Sequence, residues 1–201
     1  IGRELTSNPR VRKLGFTGST EVGKLLMRQC ADQVKKISLE LGGNAPFIVF
    51  EDADLDIAVN AALVCKFRNS GQTCVSANRM LVQAGIYDAF LDRFTAAVEA
   101  LTVADGFTEG VQVGPLIDQP AVEKVESHVA DALEAGAELV TGGDRIEGQF
   151  YRPSVITGVG PRMRMSREET FGPVAAISRF ETEDEAVAIA NGTPYGLAAY
   201  Y

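Results

Sequence analysis

The segment Phe47-Ile48-Val49-Phe50-Glu51-Asp52-Ala53-Asp54 decides the fold of this chain of 201 residues. Its first four residues are apolar and β-prone, which predicts a short buried strand. The acidic residues that follow suit the positive end of a helix, and we predict that helix over Leu55–Phe67. A further apolar run at 79–83 predicts the next strand. The segment therefore encodes a strand, a helix and a second strand in succession.

The same alternation continues on both sides of this segment. Upstream, we predict strands at 11–16 and 36–41 and a helix at 21–33 whose buried face is formed by Val22, Leu25, Leu26 and Cys30. Downstream, we predict helices at 87–101, 120–135 and 183–190, and strands at 138–141, 154–156 and 175–180. Strands that alternate with helices of this length predict a layered α/β fold.

Composition argues against several classes of function. The net charge of −8 and the pI near 4.8 argue against nucleic acid or an anionic membrane as a partner, because both attract clustered Lys and Arg. No apolar stretch approaches the length of about eighteen residues that a membrane helix needs, and the first residues lack the pattern of a signal peptide. Three cysteines show no metal-binding spacing, and their odd number favours a reducing cytoplasm.

Cys74 and Glu40 are the candidate nucleophile and base. Cys74 follows the turn Gly71-Gln72-Thr73, which suits a thiol presented at the end of a loop. Because the chain has a single histidine, a carboxylate is a better candidate for the base than an imidazole. Glu40 lies between two leucines, and burial there would tune it as a general base. From the residues alone, a solvated strand-end carboxylate is the more ordinary interpretation of Glu40.

The remaining reactive side chains are predicted to be structural. Cys30 and Cys65 lie on apolar helix faces, and we expect both to be buried, inert thiols. His128 lies on the same helix as three valines, and we expect a residue at the boundary of the core without a catalytic role.

Four motifs carry a resemblance to a known family: Phe16-Thr17-Gly18-Ser19-Thr20-Glu21-Val22-Gly23, Glu40-Leu41-Gly42-Gly43, Phe67-Arg68-Asn69-Ser70-Gly71-Gln72-Thr73-Cys74 and Glu168-Glu169-Thr170-Phe171-Gly172-Pro173. In this order and at these spacings, they resemble the NAD(P)-dependent aldehyde dehydrogenase superfamily. Lys66 before the cysteine motif and Asn44-Ala45-Pro46-Phe47 after the glycines are most similar to its succinate-semialdehyde dehydrogenase branch.

The resemblance implies an α/β chain with the end of a Rossmann-like nucleotide-binding domain followed by most of an α/β catalytic domain. Residues 1–41 would be the C-terminal part of the first nucleotide-binding segment, and residues 42–201 the catalytic domain, incomplete at its C-terminus. Family members are much longer, so the chain resembles a fragment that would be inactive by itself. The full-length protein would be a cytoplasmic homo-oligomer without nucleic-acid or membrane partners.

The resemblance also implies roles for individual residues. Cys74 would attack the aldehyde to form a thiohemiacetal, whose hydride passes to NAD or NADP, and Glu40 would activate the water that hydrolyses the thioester. Five residues would bind the cofactor: Gly18, Ser19, Leu41, Glu169 and Phe171. Among these, Ser19 would contact a phosphate, Glu169 the nicotinamide ribose and Phe171 the nicotinamide ring. An ordinary turn, a solvated charge and a core aromatic are the alternatives for these three, and no metal is implied.

Arg68 indicates the substrate class. Semialdehyde enzymes resemble this chain in having arginine here, where its guanidinium can pair with a substrate carboxylate. A surface charge or a helix-dipole partner is the ordinary alternative. The predicted reaction is oxidation of succinate semialdehyde, with glutarate semialdehyde or another aldehyde as an alternative. A non-catalytic fragment and a cofactor-independent thiol-ester hydrolase remain open, as does the choice between NAD and NADP. Ser76 replaces a second cysteine of several relatives, so we expect no disulfide switch.

Overall fold

A computed structural model describes every residue from 1 to 201. The chain divides into two compact units, Ile1–Gly42 and Gly43–Tyr201. Each unit contains its own sheet and its own apolar core.

The first unit is built on two parallel strands. It contains helix α1 (Gly2–Ser7), strand β1 (Lys13–Thr17), helix α2 (Thr20–Ala31) and strand β2 (Lys36–Glu40). The strands pair in a register that sets Thr17 beside Glu40. A small core of Leu14, Leu26 and Cys30 joins the sheet to α2.

The second unit is built on a five-stranded sheet. Its strands are β3 (Ala45–Val49), β4 (Ala77–Gln83), β5 (Glu138–Thr141), β8 (Ser154–Thr157) and β9 (Val174–Phe180), and β6 (Arg145–Glu147) and β7 (Phe150–Tyr151) form a separate hairpin. The order in the sheet is β3-β4-β9-β8-β5, and every neighbouring pair is parallel except β5 with β8. Because β3, β4 and β9 are parallel neighbours, the loops that enter them meet at one edge of the sheet.

Helices cover both faces of this sheet. They are α3 (Leu55–Phe67), α4 (Tyr87–Glu99), α5 (Gln119–Glu134), α6 (Arg164–Arg167) and α7 (Glu183–Asn191). Alternate residues of β9 separate the two cores: Ala175 and Ile177 join the cluster under α3 and α4, while Val174 and Ala176 join the cluster under α5. This alternation is what a sheet buried on both faces requires.

Side-chain caps fix where the long helices begin. Asp54 accepts hydrogen bonds from the N–H groups of Asp56 and Ile57 at the start of α3. Asp118 and Thr182 cap α5 and α7 in the same way. Each such cap is worth about 1 kcal/mol, since it satisfies an N–H group that the helix itself leaves free.

The predicted α/β fold is confirmed, and α3 occupies the predicted residues. Helix α1 and the β6–β7 hairpin were missed, because both are short and lack a clear apolar period. Two residues of the predicted buried face of α2 are exposed: Val22 is 40% accessible and Leu25 46%. The small first unit offers that side of α2 no further layer to pack on.

The structure corrects two further expectations about side chains. His128 is fully buried rather than at the boundary of the core, and its Nδ1 lies 3.2 Å from Thr170 Oγ1. Cys65 is half-buried against the core of the second unit, whereas Cys30 is buried as expected. None of the helices combines the length and apolar character needed to cross a membrane.

Candidate active site

In the first unit, the predicted cofactor residues gather where β1 ends and α2 begins. The backbone N–H of Gly18 donates a 3.0 Å hydrogen bond to the carbonyl of Glu40, because β1 and β2 are parallel and end together. The hydroxyl of Ser19 accepts a hydrogen bond from the Val22 N–H and so caps α2. Leu41 packs on Gly23, where a Cβ would lie 2.6 Å from the Leu41 side chain. A helix N-terminus, Ser19 and Glu40 therefore share one edge of this unit.

The expected burial of Glu40 is wrong. The residue is exposed, and the strand that carries it alternates between exposed and half-buried positions along its whole length. Its two leucine neighbours are half-buried, but in a strand adjacent side chains point to opposite faces. Apolar sequence neighbours therefore did not bury the carboxylate, and its role as the base stays a proposal.

In the second unit, Cys74 lies in a turn that follows an unusual loop. Three consecutive residues, Asn69, Ser70 and Gly71, have left-handed backbone angles, with φ of 54°, 59° and 72°. Left-handed geometry is costly for residues with a Cβ, so this loop persists only because its surroundings hold it. Cys74 itself is half-buried, and the loop delivers it to the amino end of β4.

Hydrogen bonds explain how the left-handed loop is held. Ser70 Oγ donates to the Gly114 carbonyl at 2.9 Å, and Gln72 Oε1 accepts from the Ile117 N–H at 2.8 Å. Asn69 Nδ2 donates to the Gln72 carbonyl at 3.0 Å. The backbone N–H of Cys74 donates to no acceptor in the chain.

Three glycines bring neighbouring segments close to the cysteine loop. A Cβ on Gly71 would lie 2.2 Å from the Gly172 carbonyl oxygen, and one on Gly43 would lie 2.3 Å from the Cys74 carbonyl oxygen. A Cβ on Gly172 would meet Val125 of α5 at 2.3 Å. The absence of side chains thus lets the loops before β3, β4 and β9 touch. At Gly43, the segment that comes this close is the nucleophile loop itself.

Glu169 and Phe171 lie in the loop before β9. The Gly43 N–H donates a 3.1 Å hydrogen bond to Glu169 Oε1, and no protein group donates to Oε2. Burial raises the pKa of the Glu169 carboxyl, although the Gly43 hydrogen bond, Lys124 and Lys66 oppose the shift. Phe171 is half-buried and has a φ of 56°, a left-handed geometry that is rare for an aromatic residue. Such a conformation persists only where the surrounding structure holds the loop in place.

Arg68 lies between α3 and the left-handed loop, and its side chain is free. The residue is exposed and forms no hydrogen bond or ion pair through its guanidinium, although its backbone N–H caps α3 by donating to Val64. Burial raises the pKa of the Tyr200 phenol; Cys65 and Cys74 add to that rise, and Arg68 opposes it. The Tyr200 hydroxyl donates to the Val75 carbonyl at 2.8 Å.

Two buried polar residues near this site were not assigned a role from the sequence. Asn78 on β4 donates through Nδ2 to Asn44 Oδ1 at 2.8 Å and to the Glu168 carbonyl at 3.0 Å, which ties together the loops before β3 and β9. Lys66 is fully buried in the last turn of α3, and its Nζ has no hydrogen-bond partner. The spacing of apolar residues does not predict the hydrogen bonds of Asn78 or the burial of Lys66. Both depend on which segments the order of the strands brings together.

Taken together, the fold defines a mixed α/β protein with a mostly parallel sheet. The chain belongs to the aldehyde dehydrogenase family, whose model matches residues 1–201. It is 58% identical over 203 aligned positions to a succinate-semialdehyde dehydrogenase (NADP(+)) of Escherichia coli, covering 100% of this chain and 42% of that protein. It is 56% identical to a glutarate-semialdehyde dehydrogenase of Pseudomonas aeruginosa, with the same two coverages of 100% and 42%.

The chain is also similar in structure to a solved member of the same family. The crystal structure of succinate-semialdehyde dehydrogenase from Burkholderia pseudomallei matches with a TM-score of 0.98 and 59% identity, over 99% of this chain and 42% of that one. The chain therefore spans less than half the length of the proteins that it matches.

Proposed function

We propose that the full-length protein oxidises a short aldehyde that carries a carboxylate, with succinate semialdehyde as the first candidate, using NAD or NADP. The observation that carries this proposal is the loop around Cys74. It presents a half-buried thiol and an unpaired backbone N–H, and the unpaired guanidinium of Arg68 precedes the same loop in the chain. A nucleophile, an oxyanion donor and a carboxylate receptor are the groups that this reaction needs at one place.

The residues support the following division of labour. The Cys74 thiolate adds to the aldehyde carbon, and the carbonyl oxygen becomes an oxyanion that accepts a hydrogen bond from the Cys74 N–H. A bound NAD(P) would supply the hydride acceptor, and an acyl group would then remain on the Cys74 sulfur. Glu40 takes a proton from water, the hydroxide adds to the thioester carbon, and the sulfur leaves as thiolate.

The cofactor-binding roles rest on two features of separate units. Glu169 offers a half-buried carboxylate with one oxygen free, as a group that accepts ribose hydroxyls should. In the first unit, Gly18 and Ser19 precede the N-terminus of α2, where free N–H groups and the helix dipole suit a phosphate. Leu41 in the first unit and Phe171 in the second are each proposed to supply an apolar contact to a cofactor.

Arg68 supports a carboxylated substrate without fixing its length. An exposed guanidinium with no partner in the chain can take a bidentate carboxylate from the solvent side. Both named relatives act on semialdehydes, one of succinate and one of glutarate. Glutarate semialdehyde is therefore the second candidate, since it differs only by one methylene between the two functional groups.

Rapid-mixing kinetics on the full-length protein test the reaction. Wild type should form NAD(P)H when succinate semialdehyde is added, and Cys74→Ala should form none. Glu40→Gln should retain a first burst of NAD(P)H and slow the steady state, because only thioester hydrolysis needs the base. Loss of the burst in a folded Glu40→Gln protein would instead assign Glu40 to the first step.

The same samples separate the alternative functions. A thiol-ester hydrolase would cleave an activated ester without cofactor and would show no aldehyde-dependent NAD(P)H. A non-catalytic protein would do neither. A homo-oligomer in the cytoplasm stays a prediction for the full-length protein, to be checked by its mass in solution and by fractionation.

A further inference from the structure

The single histidine of the chain, His128, is fully buried on α5 of the second unit. Its neighbours on the helix, Val125 and Val129, pack into an apolar core cluster. A buried imidazole destabilises a fold unless hydrogen bonds satisfy it, and an apolar side chain would avoid that cost. A histidine at this position therefore needs an explanation beyond packing.

Both ring nitrogens of His128 face the loop before β9. Nδ1 lies 3.2 Å from Thr170 Oγ1, within hydrogen-bond distance, and is the only partner of that hydroxyl. Nε2 lies 3.3 Å from Glu168 Oε2, although not in line for a hydrogen bond. In the sequence, Glu168 and Thr170 flank Glu169, the carboxylate of the proposed cofactor site. The imidazole thus contacts this loop on both sides of Glu169.

The neighbouring charges indicate which ring nitrogen carries the proton. Glu168 is hydrogen-bonded to Arg164, which lowers the pKa of the Glu168 carboxyl and keeps it negative beside Nε2. An N–H at Nε2 is attracted to that charge, whereas a lone pair there would be repelled. Burial, Arg164 and Lys124 lower the pKa of His128 to about 4, so the ring is neutral at neutral pH. The proton is therefore assigned to Nε2, and Nδ1 accepts a hydrogen bond from the Thr170 hydroxyl.

Thr170 lies between the two residues of this loop that are proposed to contact the cofactor, Glu169 and Phe171. The Thr170 side chain is buried, and its backbone N–H donates to Asn78 Oδ1 at 3.4 Å. Phe171 has left-handed geometry, which costs free energy unless the surroundings hold it. Asn78 holds the backbone of Thr170 and His128 holds its side chain, so the loop is fixed at the residue between its two functional positions.

Helix α5 is attached to the same segment at two further points. Before the loop, Asp131 Oδ2 accepts a 2.8 Å hydrogen bond from the Arg164 N–H. After the loop, a Cβ on Gly172 would lie 2.3 Å from the Val125 side chain. His128 therefore acts on the loop from a helix that is fixed on both sides of it.

We propose that His128 is a positioning residue for cofactor binding: its hydrogen bond to Thr170 holds Glu169 and Phe171 in the conformation that meets the nicotinamide ribose and ring. This inference rests on the proposed function, in which Glu169 and Phe171 bind the cofactor. His128 acts only through the loop, from the interior of the protein. The acceptor at Nδ1 is what the loop requires, rather than the bulk of the ring.

The first test measures the dissociation constants of NAD+ and NADP+ for the full-length protein. His128→Leu removes the acceptor and should weaken binding about two-fold to about ten-fold, the range for one hydrogen bond. His128→Asn has nearly the size of leucine but keeps an acceptor close to the place of Nδ1, so it should restore most of the affinity. Equal affinities in the leucine and asparagine variants would overturn the proposal.

Thr170→Val removes the other partner with little change in the shape of the side chain. It should weaken cofactor binding by about the same factor as His128→Leu. The double variant should bind no more weakly than either single variant, because all three lack the same hydrogen bond. Additive losses would show that the two residues act independently, against the proposal.

Thr95→Val is the matched control. It removes a buried hydroxyl on α4 that has no hydrogen-bond partner, so cofactor affinity should stay at the wild-type value. A loss as large as that of Thr170→Val would mean that any buried hydroxyl has this effect, and the proposal would fail.

The rate at which iodoacetamide alkylates Cys74 without cofactor separates positioning from general damage. Mass spectrometry of the Cys74 peptide measures this rate. His128→Leu should leave it unchanged, since the proposed defect lies in the contacts of Glu169 and Phe171 with the cofactor. A fall as large as the loss of cofactor affinity would show that the whole site is disrupted and would overturn the proposal.

A Glu169→Gln variant separates failure of the inference from failure of the proposed function. If Glu169→Gln leaves cofactor affinity unchanged, the cofactor role of Glu169 fails, and the inference fails with it. If Glu169→Gln weakens binding but His128→Leu does not, only the inference is overturned.

Folding defects do not remove the test. Should His128→Leu give no soluble protein, Thr170→Val carries the measurement, and wild-type affinity in that variant would overturn the proposal. Should both single variants fail to fold, the double variant places two apolar side chains together and should recover soluble protein. A double variant that also fails to fold would show that the pair is needed for packing alone and would overturn the proposal.

Discussion

The backbone of Gly43 lies against the backbone of Cys74, so closely that a Cβ on Gly43 would sit 2.3 Å from the Cys74 carbonyl oxygen. The same glycine donates its N–H to Glu169 Oε1 at 3.1 Å. Gly43 thus contacts the nucleophile loop through its backbone and holds the carboxylate of the proposed cofactor site through its N–H.

Gly43→Ala should therefore reduce both aldehyde oxidation and stability. The added methyl must push either the Cys74 turn or the Gly43 strand entry away, and overpacking of this kind costs about 1–3 kcal/mol. A displacement of about 1 Å at a reacting group can lower the rate about a hundred-fold. The measurements are kcat/KM with succinate semialdehyde and the thermal midpoint of the full-length protein.

Gly106→Ala is the control for this prediction. A Cβ at Gly106 has no atom within 4 Å, and its backbone is not left-handed. That variant should retain wild-type kinetics, and wild-type kinetics in Gly43→Ala as well would refute the steric coupling of Gly43 to Cys74.

Asn78→Ala should destabilise the second unit and weaken cofactor binding together. The substitution leaves Asn44 Oδ1 and the Glu168 carbonyl without their donor in a buried place, at a cost of about 1–3 kcal/mol. Because the same side chain ties the loop of Glu169 to β4, the KM for NAD(P) should rise. Urea denaturation and steady-state kinetics measure the two effects.

Asn191→Ala serves as the comparison. Asn191 is exposed at the end of α7, and its side chain makes one hydrogen bond, from Nδ2 to the Val187 carbonyl. Its loss should change stability by only a few tenths of a kcal/mol, as exposed positions usually do. Equal losses of stability in the two variants would mean that the buried hydrogen bonds of Asn78 stabilise the protein no more than an exposed hydrogen bond does.

Local patterns in the sequence predicted local structure well. Helix α3 begins and ends at the predicted residues, because an Asp54 cap and an apolar period both act within a few residues. The convergence of Gly43, Cys74 and Glu169 is different. It follows from strands β3, β4 and β9 being neighbours, and β9 reaches β4 from far along the chain.

The site residues that the sequence failed to explain share this dependence on distant packing. Lys66 in a final helical turn ordinarily indicates an exposed partner of the helix dipole, yet here the α3 end is covered by other loops. Glu40 shows the reverse, since apolar neighbours in sequence suggested burial and the structure exposes it. Burial of a single polar side chain depends on which elements pack over it, which its own sequence window does not contain.

Mild peroxide should inactivate the full-length enzyme through Cys74 alone. Cys30 is buried, and burial raises the pKa of the Cys65 thiol, so little of either is accessible thiolate. Ser76 offers Cys74 no neighbouring thiol, so oxidation should give sulfenic and then higher acids. Peptide mass spectrometry after oxidation identifies the products.

Ser76→Cys is the complementary variant. It restores a thiol close to Cys74 in the same turn, and it should allow a disulfide that a reductant reverses. Finding a disulfide between Cys74 and Cys65 or Cys30 in the wild-type enzyme would contradict the prediction.

Arg68→Ala should lower activity toward carboxylated aldehydes far more than toward neutral ones. A hydrogen-bonded pair with a charged group contributes about 1.5–3 kcal/mol, so kcat/KM for succinate semialdehyde should fall about ten-fold to about a hundred-fold. The lower part of that range is expected, because the Arg68 side chain is exposed and water screens it. Butanal has no carboxylate and should lose little.

Comparing the two aldehydes separates recognition from loop structure. Both share the attack by Cys74 and the hydride transfer, so damage to the left-handed loop would lower the two rates equally. Glutarate semialdehyde tests whether the length of the substrate matters. If Arg68 also binds its carboxylate, Arg68→Ala should lower kcat/KM for glutarate semialdehyde by a similar factor. Equal losses for butanal and succinate semialdehyde would show that Arg68 only supports the loop, and the preference for a semialdehyde would then have no basis in this side chain.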